Sequence, residues 1–229
     1  MSIIGLIPAR GGSKSIRNKN IVNFLDKPLL CHVADSAKKS KLLSHIICST
    51  DDKKIMKVCD SFDIEVQVRP ISLSQDDTNI VDVIKFVIEK LIKDNVKAEI
   101  IVLLQPTYPF VTTKLIDRSI RLLKKKKNIA SVQTVTEVPH CFHAYNQRKI
   151  NKKEISFFFE KERNNFYSKQ RKVNLFSFGN LVSFKIEHFL KQQTCFPKPS
   201  SPIYISRLES IDIDNKEDLK IAKRIFNDH

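Results

Sequence analysis

The chain is poor in the features that build cross-linked, zinc-pinned or membrane-spanning proteins. It has five cysteines in 229 residues (Cys31, Cys48, Cys59, Cys141 and Cys195), widely scattered and with no Cys-x-x-Cys pair. A disulfide framework or a structural zinc site needs closer, paired spacing, so neither is expected. Cys31, Cys48 and Cys59 fall in apolar-periodic segments, where cysteine acts as a small buried hydrophobe. The expected compartment is therefore the reducing cytoplasm. No apolar run approaches the roughly 18–20 residues of a membrane helix. No basic-then-apolar leader precedes the first strand, so neither export nor a membrane partner is expected. Internal repeats are also missing. Acid is scarce: 25 Asp+Glu face 40 Lys+Arg, a formal net charge of +15. That balance favours nucleic acid, an anionic membrane surface, or a phosphorylated or carboxylate substrate. A nucleic-acid binder would show a basic stripe interleaved with aromatics or a reading helix. Here the cations are spread over helix faces and the one rich cluster is a glycine loop, so no nucleic-acid partner is expected. The run Lys124–Lys127 closes a helix and reads as a solvated face.

What is present is an α/β rhythm. At 41% hydrophobic and 28% charged the composition is ordinary globular, and the length predicts one domain over 1–229. Ser2–Pro8 is a short, almost wholly apolar run, as in a strand buried on both faces of a parallel sheet. Helices are predicted over Pro28–Lys41, Asp52–Phe62, Asn79–Ile92 and Lys114–Leu123, each with an apolar stripe. Strands are predicted over His45–Ser49, Ile64–Val68, Glu99–Leu104 and Ile129–Val135. Such alternation implies right-handed crossovers and a mostly parallel sheet with helices on both faces. From about 137 to 176 polar and basic residues dominate, broken by Ile155–Phe159. This insertion reads either as a β-hairpin covering the core or as a dimerisation arm. The rhythm returns with Leu181–Phe184, a helix over Lys185–Gln192, Tyr204–Ile205 and a last helix over Lys216–Phe226.

Only four glycines occur, and three of them lie in the first twelve residues. The first strand runs into Pro8-Ala9-Arg10-Gly11-Gly12-Ser13-Lys14, followed by Arg17, Lys19 and Asn20. In an α/β sheet the loop after a strand's carboxyl end is the expected ligand crevice. Paired glycines let backbone amides approach an anion, and the loop carries four cations and no acid. It reads as a polyphosphate site or as a basic turn with glycines for geometry. It matches neither the P-loop nor the dinucleotide fingerprint. Near the other end, Asp212 and Asp214 at i, i+2 project from one face of an extended segment. They read as a Mg²⁺ site, or as a helix start in which Asp214 caps and Glu217 completes a capping box. Gln105 and Arg69 each end a predicted strand at the carboxyl edge. A strand-end hydrogen bond and a surface arginine are the alternatives for them.

The stretch Ile7–Ile21 (IPARGGSKSIRNKNI) closely resembles the signature of the acylneuraminate cytidylyltransferases, the CMP-sialic acid synthetases. CSTDD at Cys48–Asp52, VRP at Val68–Pro70, LLQPTYPF at Leu103–Phe110, SVQTVTEVPH at Ser131–His140 and IDIDNKEDL at Ile211–Leu219 follow in the family's order, across nearly the whole chain. The resemblance implies a Rossmann-like nucleotidyltransferase fold and a homodimer, with the inserted arm at about 137–176 covering a neighbour's site. It implies the reaction of CTP with a sialic-type nonulosonic acid to give the CMP-sugar and pyrophosphate, in lipopolysaccharide or capsule biosynthesis. By the same resemblance Arg10, Lys14 and Lys19 hold the triphosphate, with Gly11, Gly12 and Ser13 amides in support. Ser13 and Asn20 orient phosphate or ribose, and Arg69 holds the base region. Asp212 and Asp214 bind Mg²⁺, and Gln105 lies near the reacting centre.

His140 matches a histidine common in the family, though a solvent-facing loop histidine reads equally well. Lys169 or Arg171 would meet the sugar's carboxylate. Where relatives usually read R-x-x-L-P-x-x-[FY]-R-x-N-G, this chain reads KQRKVNLFSFGN at Lys169–Asn180, with Leu-Pro missing and Asn-Gly reversed as Gly179-Asn180. The nucleotide half matches better than the sugar half. Legionaminic, pseudaminic or another 3-deoxy-ulosonic acid is therefore an alternative substrate, and a nucleotide-binding relative without turnover is the non-enzyme alternative.

Overall fold

The computed structural model describes residues 2–227. The chain runs through β1 (Ser2–Pro8), a minimal hairpin of β2 (Asn23–Phe24) and β3 (Lys27–Pro28), α1 (Leu29–Lys38), β4 (His45–Thr50), α2 (Lys53–Ser61) and β5 (Glu65–Val68). It continues with α3 (Ile80–Lys93), β6 (Ala98–Leu103), α4 (Thr113–Lys125) and β7 (Ser131–Glu137). A hairpin of β8 (Arg148–Asn151) and β9 (Glu154–Phe157) and the short α5 (Glu160–Asn165) come next. The last elements are β10 (Phe176–Lys185), α6 (Ile186–Gln192), β11 (Ser200–Tyr204) and α7 (Lys216–Asn227).

Seven strands form one sheet in the order β11-β7-β10-β6-β1-β4-β5. All neighbouring pairs are parallel except those made by β10, which runs antiparallel to both β6 and β7. Along β1 the period of two is visible in the packing. Ile3 and Ile7 join the core under α1 and α4, whereas Ile4 and Leu6 join the core under α3 and α6. Both faces are thus covered, which is why the strands read as continuous apolar runs. Helix starts follow from local chemistry: the side chains of Asp52, Asn79 and Thr112 accept from amides in the first turns of α2, α3 and α4.

From β1 the chain proceeds outward to β4 and β5, then returns to lay β6 on the other side of β1. The order reverses between β1 and β6, and the crevice outside their carboxyl ends is where ligands bind in open α/β sheets. All five cysteines are free, and only Cys141 is exposed.

Three expectations change in detail. The strand expected at Leu181–Phe184 is the ten-residue β10, which begins at Phe176, inside the expected insertion. A bulge between Phe178 and Val182 interrupts its pairing with β7. There Gly179 is required by space: a Cβ would lie 2.7 Å from Thr134 Oγ1 and from Ile205 Cδ1. Thr134 Oγ1 accepts from the amides of Asn180 and Leu181 at 2.8 Å each, so the reversed Gly-Asn is the bulge's own solution. Secondly, the last strand lies at Ser200–Tyr204 rather than Tyr204–Ile205. Thirdly, the β8–β9 hairpin pairs Ile150 with Ile155 but leaves both in solvent, 73% and 67% exposed, so it is a hairpin that does not cover the core.

His32 on α1 is buried, with Nε2 2.9 Å from the Phe24 carbonyl oxygen. A carbonyl only accepts, so Nε2 carries the proton in the neutral ring. Burial pushes the His32 pKa below its ordinary 6.5, against the opposing pull of that hydrogen bond. The unfolded chain therefore binds the proton first as pH falls. The corresponding stability is complete above 6.5 and is lost as pH falls through the folded-state value. Melting between about pH 7.5 and 5.5 should fall more steeply for the wild type than for His32→Gln; equal slopes would remove His32 as the cause.

Candidate active site

The loop after β1 is braced on both flanks. The Gly11 amide donates to Asp51 Oδ1 at 3.3 Å, and Asn20 Nδ2 donates to the Arg10 carbonyl at 2.9 Å. The Ser13 amide donates to the Gly11 carbonyl at 3.1 Å. Two of the three amides expected to face an anion are thus already engaged, and Gly12 supplies the one without a protein partner among the described residues. A Cβ at Gly11 would lie 2.4 Å from Asp52 Oδ2, whereas one at Gly12 would meet nothing within 4 Å. Gly11 is glycine because Asp52 is there; Gly12 opens onto free space.

The loop forms one wall of a cleft of about 460 Å³ at the β1/β6 switch point. Arg10, Ser13, Lys14, Lys19 and Asn20 line it from the loop, Arg69 from the end of β5, and Gln105 to Thr107 from the end of β6. The lining holds four cations (Arg10, Lys14, Lys19, Arg69) and one acid, Asp76. Arg69 is only 5% exposed and makes no ion pair among the described residues; its Nε donates to Ser74 Oγ at 2.9 Å. Burial lowers its pKa, with Asp51 pulling the other way. A buried guanidinium with free N–H groups beside a cleft is built to receive a carbonyl or an anion. The surface-arginine reading of Arg69 is excluded.

The acid segment meets this cleft at its rim. The Ile213 amide donates to the Thr107 carbonyl at 2.9 Å, and the buried Ile213 side chain turns into a small core with Ile16 and Phe24. Asp212 and Asp214 therefore lie on the opposite side of the segment from Ile213. Asp214 Oδ1 is 2.9 Å from Lys19 Nζ. Asp212 Oδ1 is buried with no hydrogen-bond partner among the described residues. Burial pushes the Asp212 carboxyl up, the Thr107 and Tyr108 hydroxyls beside it pull down, and Asp214 adds to the push. Tyr108 is raised in turn by its own burial and by Asp212. Helix capping falls elsewhere: Asn215 Oδ1 accepts from the Glu217 and Asp218 amides, and Asp218 Oδ2 accepts from the Asp214 and Asn215 amides. The capping box is thus Asn215 with Asp218, a correction to Asp214 with Glu217.

Among the described residues no group of three His, Cys, Asp or Glu side chains is gathered for a metal. Two carboxylates, one with an orphaned buried oxygen, fit Mg²⁺, which takes one or two protein carboxylates and completes its shell with water and phosphate oxygens.

The residues expected for the sugar side are placed apart. Gln105 lines the cleft. His140, Lys169 and Arg171 are exposed on the inserted segment and outside the cleft lining. Arg171 stacks over Tyr167 at 5.6 Å. The cation that turns inward from that stretch is Lys172, whose Nζ donates to Asn146 Oδ1 at 2.7 Å and lies 3.3 Å from His140 Nε2. Sequence reasoning missed Asp76, Ser74, Lys172 and the bracing pair Asp51-Asp52. For Asp76 the signal was available: it sits in the loop beyond β5, at the same sheet edge that singled out Arg69.

A basic cleft at the switch point of an α/β sheet, with paired acids at its rim, is suited to a nucleotide's phosphates, and a family-model match defines the class as nucleotidyltransferase. The cytidylyltransferase family model matches residues 4–226, and the chain belongs to the cytidylyltransferase family. It is 27% identical over 223 residues to an N-acylneuraminate cytidylyltransferase of Escherichia coli, covering 96% of this chain and 51% of that protein, about half its length. It is 26% identical to a CMP-N,N'-diacetyllegionaminic acid synthase of Legionella pneumophila, covering 99% of this chain and 97% of the relative. A pseudaminic acid cytidylyltransferase of Campylobacter jejuni is 25% identical, covering 99% and 97%. Among solved structures, CMP:2-keto-3-deoxy-manno-octonic acid synthetase complexed with CTP superposes with a TM-score of 0.74 at 13% identity, covering 100% of this chain and 99% of that one. At that identity the match speaks for the fold alone. Among the described residues no helix is long and apolar enough to cross a membrane.

Proposed function

We propose that this protein activates an acidic nonulosonic or ulosonic sugar with CTP, releasing pyrophosphate. The observation that carries the reading is the cleft itself: four cations against one acid, at the switch point, with a partnerless carboxylate oxygen at its rim. In this reading Arg10, Lys14 and Lys19 take the triphosphate, the Gly12 amide faces it, and Asn20 keeps the loop in place. Arg69 takes the cytosine carbonyl, and Gln105 contacts the sugar near the reacting centre. The sugar's anomeric hydroxyl attacks the α-phosphorus in line with the departing pyrophosphate, whose bridging oxygen takes the bond's electron pair. The hydroxyl's proton leaves to solvent. Asp212 and Asp214 would hold Mg²⁺, which would supply charge neutralisation and acidify the hydroxyl. The protein's own contribution is positioning and charge complementarity.

The choice of sugar stays at the level of class, because the named relatives act on different acids at identities of 27%, 26% and 25%. Pyrophosphate release from CTP and Mg²⁺ should be measured with N-acetylneuraminic, legionaminic, pseudaminic and Kdo acids offered separately. Release with one acid establishes reaction and substrate together. Silence with all four, while CTP raises thermal stability, favours the non-catalytic relative; silence without CTP binding overturns the proposal.

A second copy of the chain completes the site in this reading. The inserted segment exposes Phe142, Ile150, Ile155, Phe158 and Tyr167, each 58% or more, while His140, Lys169 and Arg171 stay outside their own chain's cleft. Apolar exposure of that extent on one arm calls for a partner surface. Sedimentation should give a dimer; a monomer at micromolar concentration would remove this part of the reading.

A further inference from the structure

Among the described residues, the one acid lining the cleft sits on two of its cations. Asp76 Oδ1 lies 2.8 Å from Arg10 Nη1, and its other oxygen pairs with Lys14 Nζ. Sixty-six residues separate Asp76 from Arg10, so the contact is made by the fold and not by the loop's own sequence. Lys14 and Arg10 hold the Asp76 carboxyl below its usual range, so it is ionised wherever nucleotides are fully charged. The segment that carries it is lightly held. Between the turn at Ile71–Leu73 and α3, Gln75, Asp76 and Asp77 are exposed, and apart from Asp76's own ion pairs the segment's side-chain ties are local, Ser74 with Arg69 and Pro70 and Gln75 with Ile71. Asp76 can therefore leave and return without disturbing the core.

Resting on the CTP reading above, we propose that Asp76 is an internal competitor for the pyrophosphate end of the nucleotide. It yields Arg10 and Lys14 to a triphosphate that its nucleoside also anchors, and retakes them once the pyrophosphate is cut free. A tethered carboxylate acts at an effective concentration in the millimolar range. An anion with no further anchor must overcome that competitor with its charge alone, whereas CTP adds its base and ribose contacts. Breaking the bond to the α-phosphorus removes those contacts from the pyrophosphate in one step. Asp76 thus lowers both affinities by a similar factor, but CTP keeps its base and ribose contacts and the freed pyrophosphate has none, so the carboxylate favours product release and keeps stray phosphate off the cations. In this reading Arg10 and Lys14 take the β- and γ-phosphates, which a monophosphate lacks, so its affinity does not depend on Asp76.

The test is calorimetric titration of pyrophosphate, CTP and CMP, at fixed Mg²⁺ and without sugar, into wild type, Asp76→Asn and Asp76→Glu. Asp76→Asn should bind pyrophosphate about two- to thirtyfold more tightly, the range that two partly exposed ion pairs represent. CTP, which displaces the same carboxylate, should tighten by a similar factor, and CMP should be unchanged. Asp76→Glu keeps the charge and should stay within about threefold of wild type for all three. Pyrophosphate binding that is unchanged or weaker in Asp76→Asn overturns the proposal, since Asp76 would then be helping the anion. Equal tightening of CMP would also overturn it, by making Asp76 a general field effect. Wild-type protein that binds neither CTP nor pyrophosphate would instead remove the nucleotide reading on which the proposal stands.

Discussion

Asp212→Ala is expected to lower CTP-dependent turnover on the order of a thousandfold while leaving the melting temperature unchanged or raised. The two halves of that expectation come from one observation. A carboxylate with a buried, partnerless oxygen is a cost to the folded state. Burial, with Asp214 beside it, pushes its pKa up against the pull of the Thr107 and Tyr108 hydroxyls, so burial costs the charged form more than those hydroxyls return. A purely structural aspartate would show the reverse pattern, with its oxygens satisfied and its loss destabilising. Asp218 is that contrasting case, accepting from two amides at the start of α7. Asp218→Ala should therefore cost about 1 kcal/mol of stability and little activity. Turnover by Asp212→Ala within tenfold of wild type at saturating Mg²⁺ would rule out the metal role, and a large fall in melting temperature would mark Asp212 as structural.

Gly11 and Gly12 adjoin in the sequence and should respond in opposite ways. Gly11→Ala places a Cβ 2.4 Å from Asp52 Oδ2 and 2.7 Å from Asp52 Cβ. Asp52 cannot swing aside freely, because its Oδ1 caps α2 through the amides of Lys54 at 2.6 Å and Ile55 at 3.0 Å. Either the cap breaks, at about 0.5–2 kcal/mol, or the loop moves and releases the Gly11 amide from Asp51. The melting temperature should drop and CTP affinity should fall by about tenfold or more. Gly12→Ala meets no atom within 4 Å, and neither glycine has a positive φ, so its melting temperature should be that of wild type. Its CTP affinity should still fall, by about tenfold, because the new methyl stands where the phosphate approaches the Gly12 amide. Thermal melting and CTP titration of both variants decide the matter. Normal CTP binding by Gly12→Ala would mean the loop holds the nucleotide by side chains alone.

The strand–helix alternation, the apolar stripes and the helix starts at Asp52 and Asn79 were legible because each is written within a few residues, at periods of two or 3.6. So was the glycine loop, since a cation-rich turn after a buried strand is a local pattern. The Asp212–Asp214 spacing was legible too, and the buried Ile213 between them settles which way both acids face. What was not legible came from chain segments that meet only in space. No local signal told that β10 would run antiparallel between β6 and β7, because strand order depends on which edges remain unpaired after the crossovers are made. Nor did the sequence point to Lys172: it offered Lys169 or Arg171, from three cations in four residues. The short turn at Lys169–Arg171 turned Lys172 inward and left the other two in solvent.

By itself, then, the sequence determined an α/β chain with an anion-seeking loop and a pair of acids, because charge, glycine and hydrophobic period act at short range. Only the tertiary structure decided that the loop meets Arg69 and Gln105 in one cleft, that the acid segment reaches its rim, and that Asp76 stands among its cations. A contact across 66 or 195 residues, such as Arg10 with Asp76 or Lys19 with Asp214, exists only after the sheet has set the ends of β6, β1, β4 and β5 along one edge.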